Sequence, residues 1–169
     1  MNTKVLPLVI FGDYIDTFGL DKKVNNVHKC VVSYFKDWKN SQHADGGFGY
    51  WPASSHSDIF VSLRISHLYA LALSRGYSKK ELAIDGDKLL SFITDKMNDS
   101  SIKPDDYLLA YASYVQALQG KTVAESQLMQ LVEKKRQGIA VLALAGLASQ
   151  QNNGKGGQAA LAAAKKIRS

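Results

Sequence analysis

Ser41-Gln42-His43-Ala44-Asp45-Gly46-Gly47-Phe48-Gly49-Tyr50-Trp51-Pro52 lies between two segments whose apolar spacing reads as helix. Three glycines in four positions, followed by Tyr-Trp-Pro, form a turn that the interior of a helix or strand would not tolerate. Gly loosens the backbone and Pro has no N–H to donate. Gln42 and Asp45 can cap neighbouring helix ends while the aromatics wedge between them. The stretch therefore reads as a shaped junction between helices, with Gly46 or Gly47 at positive φ and with Phe48 and Trp51 buried. Ser57 or Asp58 is the expected cap of the helix that follows.

On either side of the junction, apolar residues recur at helical spacing almost throughout. The spacing predicts helices over about 3–18, 21–41, 58–75, 79–97, 104–119, 124–135, 137–150 and 157–167. Breakers fall between them at Gly19, the 45–57 loop, Gly76, Asn98-Asp99-Ser100-Ser101, Gly120 and Asn152-Asn153-Gly154, and no useful strand-like alternation occurs. Apart from the 45–57 loop the connections are short, which forces consecutive helices to run antiparallel. The expected fold is all-α, built of antiparallel helical hairpins. Ala110–Leu118 and Ile139–Ala148 are apolar nearly all round and rich in Ala and Gly, as inner helices packed on several sides would be.

The chain has 169 residues, 46% of them hydrophobic and 21% charged, enough for one domain with a sizeable core. The opening Met1–Phe11 mimics a signal peptide, but Asp13 and Asp16 interrupt it and no small-residue cleavage site follows, so it reads as a helix of the fold. No apolar run approaches a membrane span. Cys30 is the single cysteine, which excludes an internal disulfide and a cysteine-based metal site, and its apolar helical setting predicts a buried structural thiol. The net charge of +6 is uneven: residues 1–118 balance at 13 Lys/Arg and 13 Asp/Glu, while residues 119–169 hold 8 and 2. Lys134-Lys135-Arg136 and Lys165-Lys166-Ile167-Arg168 read as solvated helix ends. No aromatic follows Tyr114 to interleave with them, which argues against nucleic acid as a partner.

No set of residues adds up to an active site. His28, His43, His56 and His67 lack ligand spacing, so no metal is expected. His56 reads as an exposed loop histidine. Asp85-Gly86-Asp87 and Asp105-Asp106 read as first-turn acids of helices. Phosphate loops and serine nucleophile elbows are absent.

Gln42-x-x-Asp45-Gly46-Gly47-Phe48-Gly49-Tyr50-Trp51-Pro52, followed by Asp58 and the apolar helix ending Leu71-Ala72-Leu73-Ser74-Arg75-Gly76-Tyr77, resembles the thioester-containing domain of bacterial alpha-2-macroglobulins. Asp106-Tyr107-x-x-Ala110-Tyr111-Ala112-x-Tyr114-Val115-x-Ala117-Leu118-x-x-Gly120-Lys121 and Gly138-x-Ala140-x-Leu142-Ala143-Leu144-Ala145 are similar to its next hairpins. The resemblance covers roughly residues 1–150. It implies part of an α/α toroid, with the 45–57 loop at one end. It also implies a parent that inhibits proteases broadly: a bait region is cut, the molecule rearranges and the protease is trapped. The parent would be bacterial and periplasmic or cell-surface, and the partners would be proteases and other domains of the same parent, with no nucleic acid, no membrane contact and no cofactor.

The family's reactive Cys-x-Glu-Gln is not within residues 1–169, since Cys30 is followed by Val31-Val32-Ser33. Thr3-Lys4-Val5-Leu6-Pro7 looks like the segment that follows that signature, so the expected thioester lies just upstream and the closing toroid helices beyond Ser169. The fragment itself would then have no catalytic residues, and His56 would not inherit the acyl-transfer role of the complement histidine. Two other classes compete: a prenyltransferase or terpene cyclase on the same toroid, and a helical scaffold for protein partners.

Overall fold

A computed structural model describes residues 5–17, 27–51, 53–134 and 137–167. Every regular element among them is helical: α1 (Val5–Thr17), α2 (Val27–Lys39), α3 (Ile59–Ser74), α4 (Lys79–Leu82), α5 (Gly86–Asn98), α6 (Asp106–Leu118), α7 (Glu125–Glu133), α8 (Ile139–Gln151) and α9 (Gly156–Ile167). Extended pairing is limited to isolated bridges, Gln42 with Phe48 and Phe48 with Asp58. The all-α expectation is met. The chain divides into two compact units, Met1–Ile93 and Thr94–Ser169.

In the first unit, α1 packs on α2 and α3, and α2 packs on α4. Val5, Val31, Phe35, Leu63, Ala72 and Leu82 are fully buried there. Phe35 meets the edge of Trp38 at 5.0 Å and the ring of Tyr69 at 6.3 Å, arrangements that suit the aromatic quadrupole. α3 starts where expected because the Asp58 carboxylate accepts the Val61 N–H at 2.8 Å.

The predicted helix over 79–97 is two helices. α4 begins with a capping box between Ser78 and Glu81 and stops at Ala83, which sits in the left-handed region at φ 63°. α5 then restarts at Gly86, where a Cβ would stand 2.2 Å from the Tyr69 ring. Propensity alone would carry Ala83 through a helix. The contacts of Asp85 and Gly86 with distant residues override it.

In the second unit α8 packs against α6, α7 and α9. Leu128, Leu131, Leu142, Ala145, Ala148 and Ala160 form its core. Asp105 caps α6 through the Leu108 N–H. Lys134 and the Gln137 amide both bond the Asp106 carboxylate, tying the start of α6 to the α7–α8 connection. α8 is not enclosed on all sides as the sequence predicts: Ile139 and Leu147 remain 57% and 41% exposed.

Candidate functional site

The junction that carries the resemblance folds as one hydrogen-bonded body. After α2 the chain turns through Ser41, whose N–H bonds Trp38 O. Gln42 then reaches across to the α4–α5 connection. Its Nε2 donates to Asp85 O and to Gly46 O, and its Oε1 accepts the Asp85 N–H, each at 2.9 Å. The side-chain amide thus pairs with a peptide group as a neighbouring strand would. This geometry uses the carbonyl and both amide hydrogens at once, so no other side chain of similar length can reproduce it.

Beyond Gln42 the chain closes a tight turn. Gly46 N–H bonds His43 O, and His43 N–H bonds Gly47 O, both at 2.9 Å. Gly46 has φ +91°, and a Cβ there would lie 2.5 Å from Lys88 O, so both the dihedral and the space require glycine. Gly47 is excluded from larger residues by space alone, with Ser57 Cβ 2.6 Å from the position a Cβ would take. The Asp45 carboxylate accepts from Gly47 N–H at 3.0 Å and from Ser57 Oγ at 2.7 Å. Phe48 follows, 2% exposed, its N–H bonded to Ser62 Oγ and its carbonyl to the Asp58 N–H.

The two aromatics that come next face outward. Tyr50 is 63% and Trp51 68% exposed, their rings edge-to-face at 5.1 Å. The expected burial of Trp51 is therefore wrong. Phe48 takes the inner side of the loop, and Trp51, whose carbonyl accepts the Ser54 N–H, is left in solvent. Pro52 lies outside the described residues. Cys30 is partly rather than fully buried, and His56 is exposed, its Nδ1 2.7 Å from Ser55 Oγ.

His43, Ser57 and Asp45 meet in a way that invites comparison with a nucleophilic triad, and proton bookkeeping decides against it. The single Ser57 hydroxyl proton goes to Asp45 Oδ1, so His43 Nδ1, 2.9 Å from Ser57 Oγ, must be the donor in that contact. The imidazole therefore takes no proton from the serine, whereas a triad requires it to. Burial alone would raise the Asp45 carboxyl, but the Ser57 hydroxyl, the Gly47 N–H and the His43 charge outweigh it and hold the group below its ordinary value. A carboxylate so stabilised is a poor base. The three residues brace the turn.

Among the described residues no group of three or more His, Cys, Asp or Glu could hold a metal ion. No helix among them is long and apolar enough to cross a membrane. His28 stacks on Tyr77 at 4.7 Å and lies 3.5 Å from Glu81, a contact open to solvent. Sequence reasoning places Gln42, Asp45, Gly46, Gly47, Phe48 and Asp58 at this junction, and the structure brings them together. Sequence reasoning misses Ser62, the bonds of His43 and the link of Asp85 to Gln42, and of the two caps it offers for α3 the structure takes Asp58, while Ser57 bonds Asp45 instead. Ser62 carried a signal, being a hydroxyl four positions after the cap Asp58, within reach of the backbone of the preceding turn.

No protein-family model, curated protein or solved structure matches this chain.

Proposed function

We propose that this chain is a non-catalytic helical domain of a protease-trapping inhibitor of the alpha-2-macroglobulin type, its part being to shape the domain that carries the reactive thioester. The observation that supports the reading most is the Gln42 clamp. The Gln-x-x-Asp-Gly-Gly-Phe motif, on which the resemblance rests, folds into a cross-link between the end of α2 and the start of α5. That is the work a junction between stacked helical hairpins must do. The Ser57–Asp45–His43 hydrogen bonding, which activates no nucleophile, agrees with a structural part. In this reading the parent is periplasmic or cell-surface, and its partners are proteases and its own neighbouring domains.

The test uses the parent protein with its native upstream sequence. Trapping predicts that a protease incubated with it keeps cleaving small chromogenic substrates but loses activity on large proteins, and that an upstream Cys-x-Glu-Gln incorporates methylamine. Unchanged cleavage of large substrates removes the inhibitor reading. Turnover of an isoprenoid diphosphate by residues 1–169 favours the toroid-enzyme class instead.

A further inference from the structure

The second unit leaves one face bare, and its chemistry says what would cover it. Between α8 and α9 runs an open groove of about 780 Å³. Ile139, Ala143 and Leu147 line it from α8, with Leu161 and Ala164 from α9. Ile139, Leu147 and Leu161 are 57%, 41% and 60% exposed, three large apolar side chains converging on one surface. Scattered exposed apolar residues need no explanation, but a contiguous patch marks an interaction site. The floor is low because α8 and α9 approach closely at Gly146, where a Cβ would stand 2.9 Å from the Ala160 Cβ. α8 is 13 residues long, so the groove offers roughly 20 Å, the length of three to four helical turns.

Charge selects the occupant. No lining residue is ionisable. Lys155 and Lys165 stand exposed just before and near the end of α9, and neither makes an ion pair among the described residues. The carboxylate of Glu125, beside Gly154 at one end, is turned to Ser149 Oγ and the Gly156 N–H. Residues 119–169 carry 8 Lys/Arg against 2 Asp/Glu. A second copy of the chain would bring these lysines face to face, which opposes association.

We propose that the α8–α9 groove docks an amphipathic helix of a partner protein, with a Leu- and Ala-rich stripe on the groove floor and Asp or Glu on the flanks toward Lys155 and Lys165. Its i, i+3, i+4, i+7 side chains would anchor among Ile139, Leu147 and Leu161. The acids would set orientation and discriminate against basic helices. The proposal does not draw on the inhibitor reading, under which further helices of the parent compete for this face; a parent protein that fails to bind the acidic peptide below overturns it.

Fluorescence anisotropy with two labelled helical peptides tests it, both carrying the same Leu/Ala stripe, one flanked by Glu and one by Lys. The Glu peptide is expected to bind at least about tenfold more tightly, with affinity falling several-fold between about 50 and about 300 mM salt. The double variant Leu147→Gln/Leu161→Gln should weaken it about tenfold or more with an unchanged melting temperature, since both side chains are solvent-accessible. Lys155→Glu/Lys165→Glu should reverse the preference between the peptides. Equal binding of both peptides, binding untouched by the double variant, or no binding overturns the proposal. So does a dimer in sedimentation that Leu147→Gln/Leu161→Gln dissolves, because a second copy would then be the occupant.

Discussion

The junction from Gln42 to Asp58 and the α8–α9 pair are both crowded with small residues and use them in opposite ways. In the junction, absent side chains let backbone and polar groups close on one another: Gly46 lies against Lys88 O, and Gln42, Asp45, Ser57 and Ser62 each bond a chain segment distant in sequence. In α8–α9 the small residues bring apolar helix surfaces together, and the polar tie is confined to one end, where Glu125 holds Ser149 and the Gly156 N–H. The first region is fixed by directional bonds that allow a single arrangement. The second is fixed by close packing and leaves an apolar face over. Hydrogen bonds specify geometry, whereas small-residue packing specifies only proximity.

The largest expected effect separates two aromatics three positions apart within the junction. Phe48→Ala empties a buried site and should cost about 3–5 kcal/mol in urea unfolding. Trp51→Ala removes an exposed ring and should stay within about 0.5 kcal/mol. Equal costs would mean that the junction does not depend on its buried wedge.

Glu125→Ala probes the other region. It leaves the fully buried Ser149 hydroxyl without its carboxylate acceptor and the Gly156 N–H at the start of α9 with Ser149 Oγ alone, at about 1–3 kcal/mol. Hydrogen exchange should quicken chiefly in α9. Exchange that quickens equally at α2 and α3 would show that the second region is held by more than this tie.

The smallest effects are pH-dependent and differ in window. Burial, and then Arg64, hold the His67 imidazole below its ordinary value of 6.5, so folding favours its neutral form. Stability is full above pH 6.5 and declines as the pH falls toward the depressed folded value. A modest drop in melting temperature between pH 7 and 5, absent in His67→Gln, checks this. The Asp45 carboxyl is also held down, below 3.8, so its contribution persists through that range and fades only in more acid solution. Asp45 is exposed and its effect correspondingly screened, about 0.5 kcal/mol or less. Asp45→Asn should flatten the acid limb and leave the pH 5–7 slope alone.

Most of the helical framework was legible because its breaks are local chemistry. Asp58 and Asp105 cap, and Gly76 and Gly120 follow the ends of α3 and α6, all within reach of a short window of sequence. The break at Ala83 was only half legible: Asp85-Gly86-Asp87 reads as a helix start, and the Asp85 carboxylate does cap α5 through the Lys88 N–H, but the bonds of Gln42 to the Asp85 peptide, 43 residues away in sequence, lie outside any local window. Trp51 was misplaced for a related reason, since composition shows that a loop holds aromatics but not which side of the turn each takes. The open face of α8 was hidden because a helix apolar all round looks the same whether its last neighbour is present or not. At the candidate site, the residues with backbone or capping roles were readable, while the side-chain bonds across the loop, which draw Ser57 to Asp45 and His43 rather than to the helix end, were not.

The Gln42 clamp also has a kinetic meaning. It joins positions 43 apart, so forming it before α3 is in place would close a long, flexible loop against its entropy for a few hydrogen bonds. Loop-closure entropy therefore predicts that it closes late, after the apolar helices have gathered, and contributes little to the barrier on the way in. Interactions of that kind set how long a native molecule lasts rather than how quickly it forms. Removing the amide with Gln42→Ala should leave the refolding rate nearly unchanged and shorten the lifetime of the folded first unit.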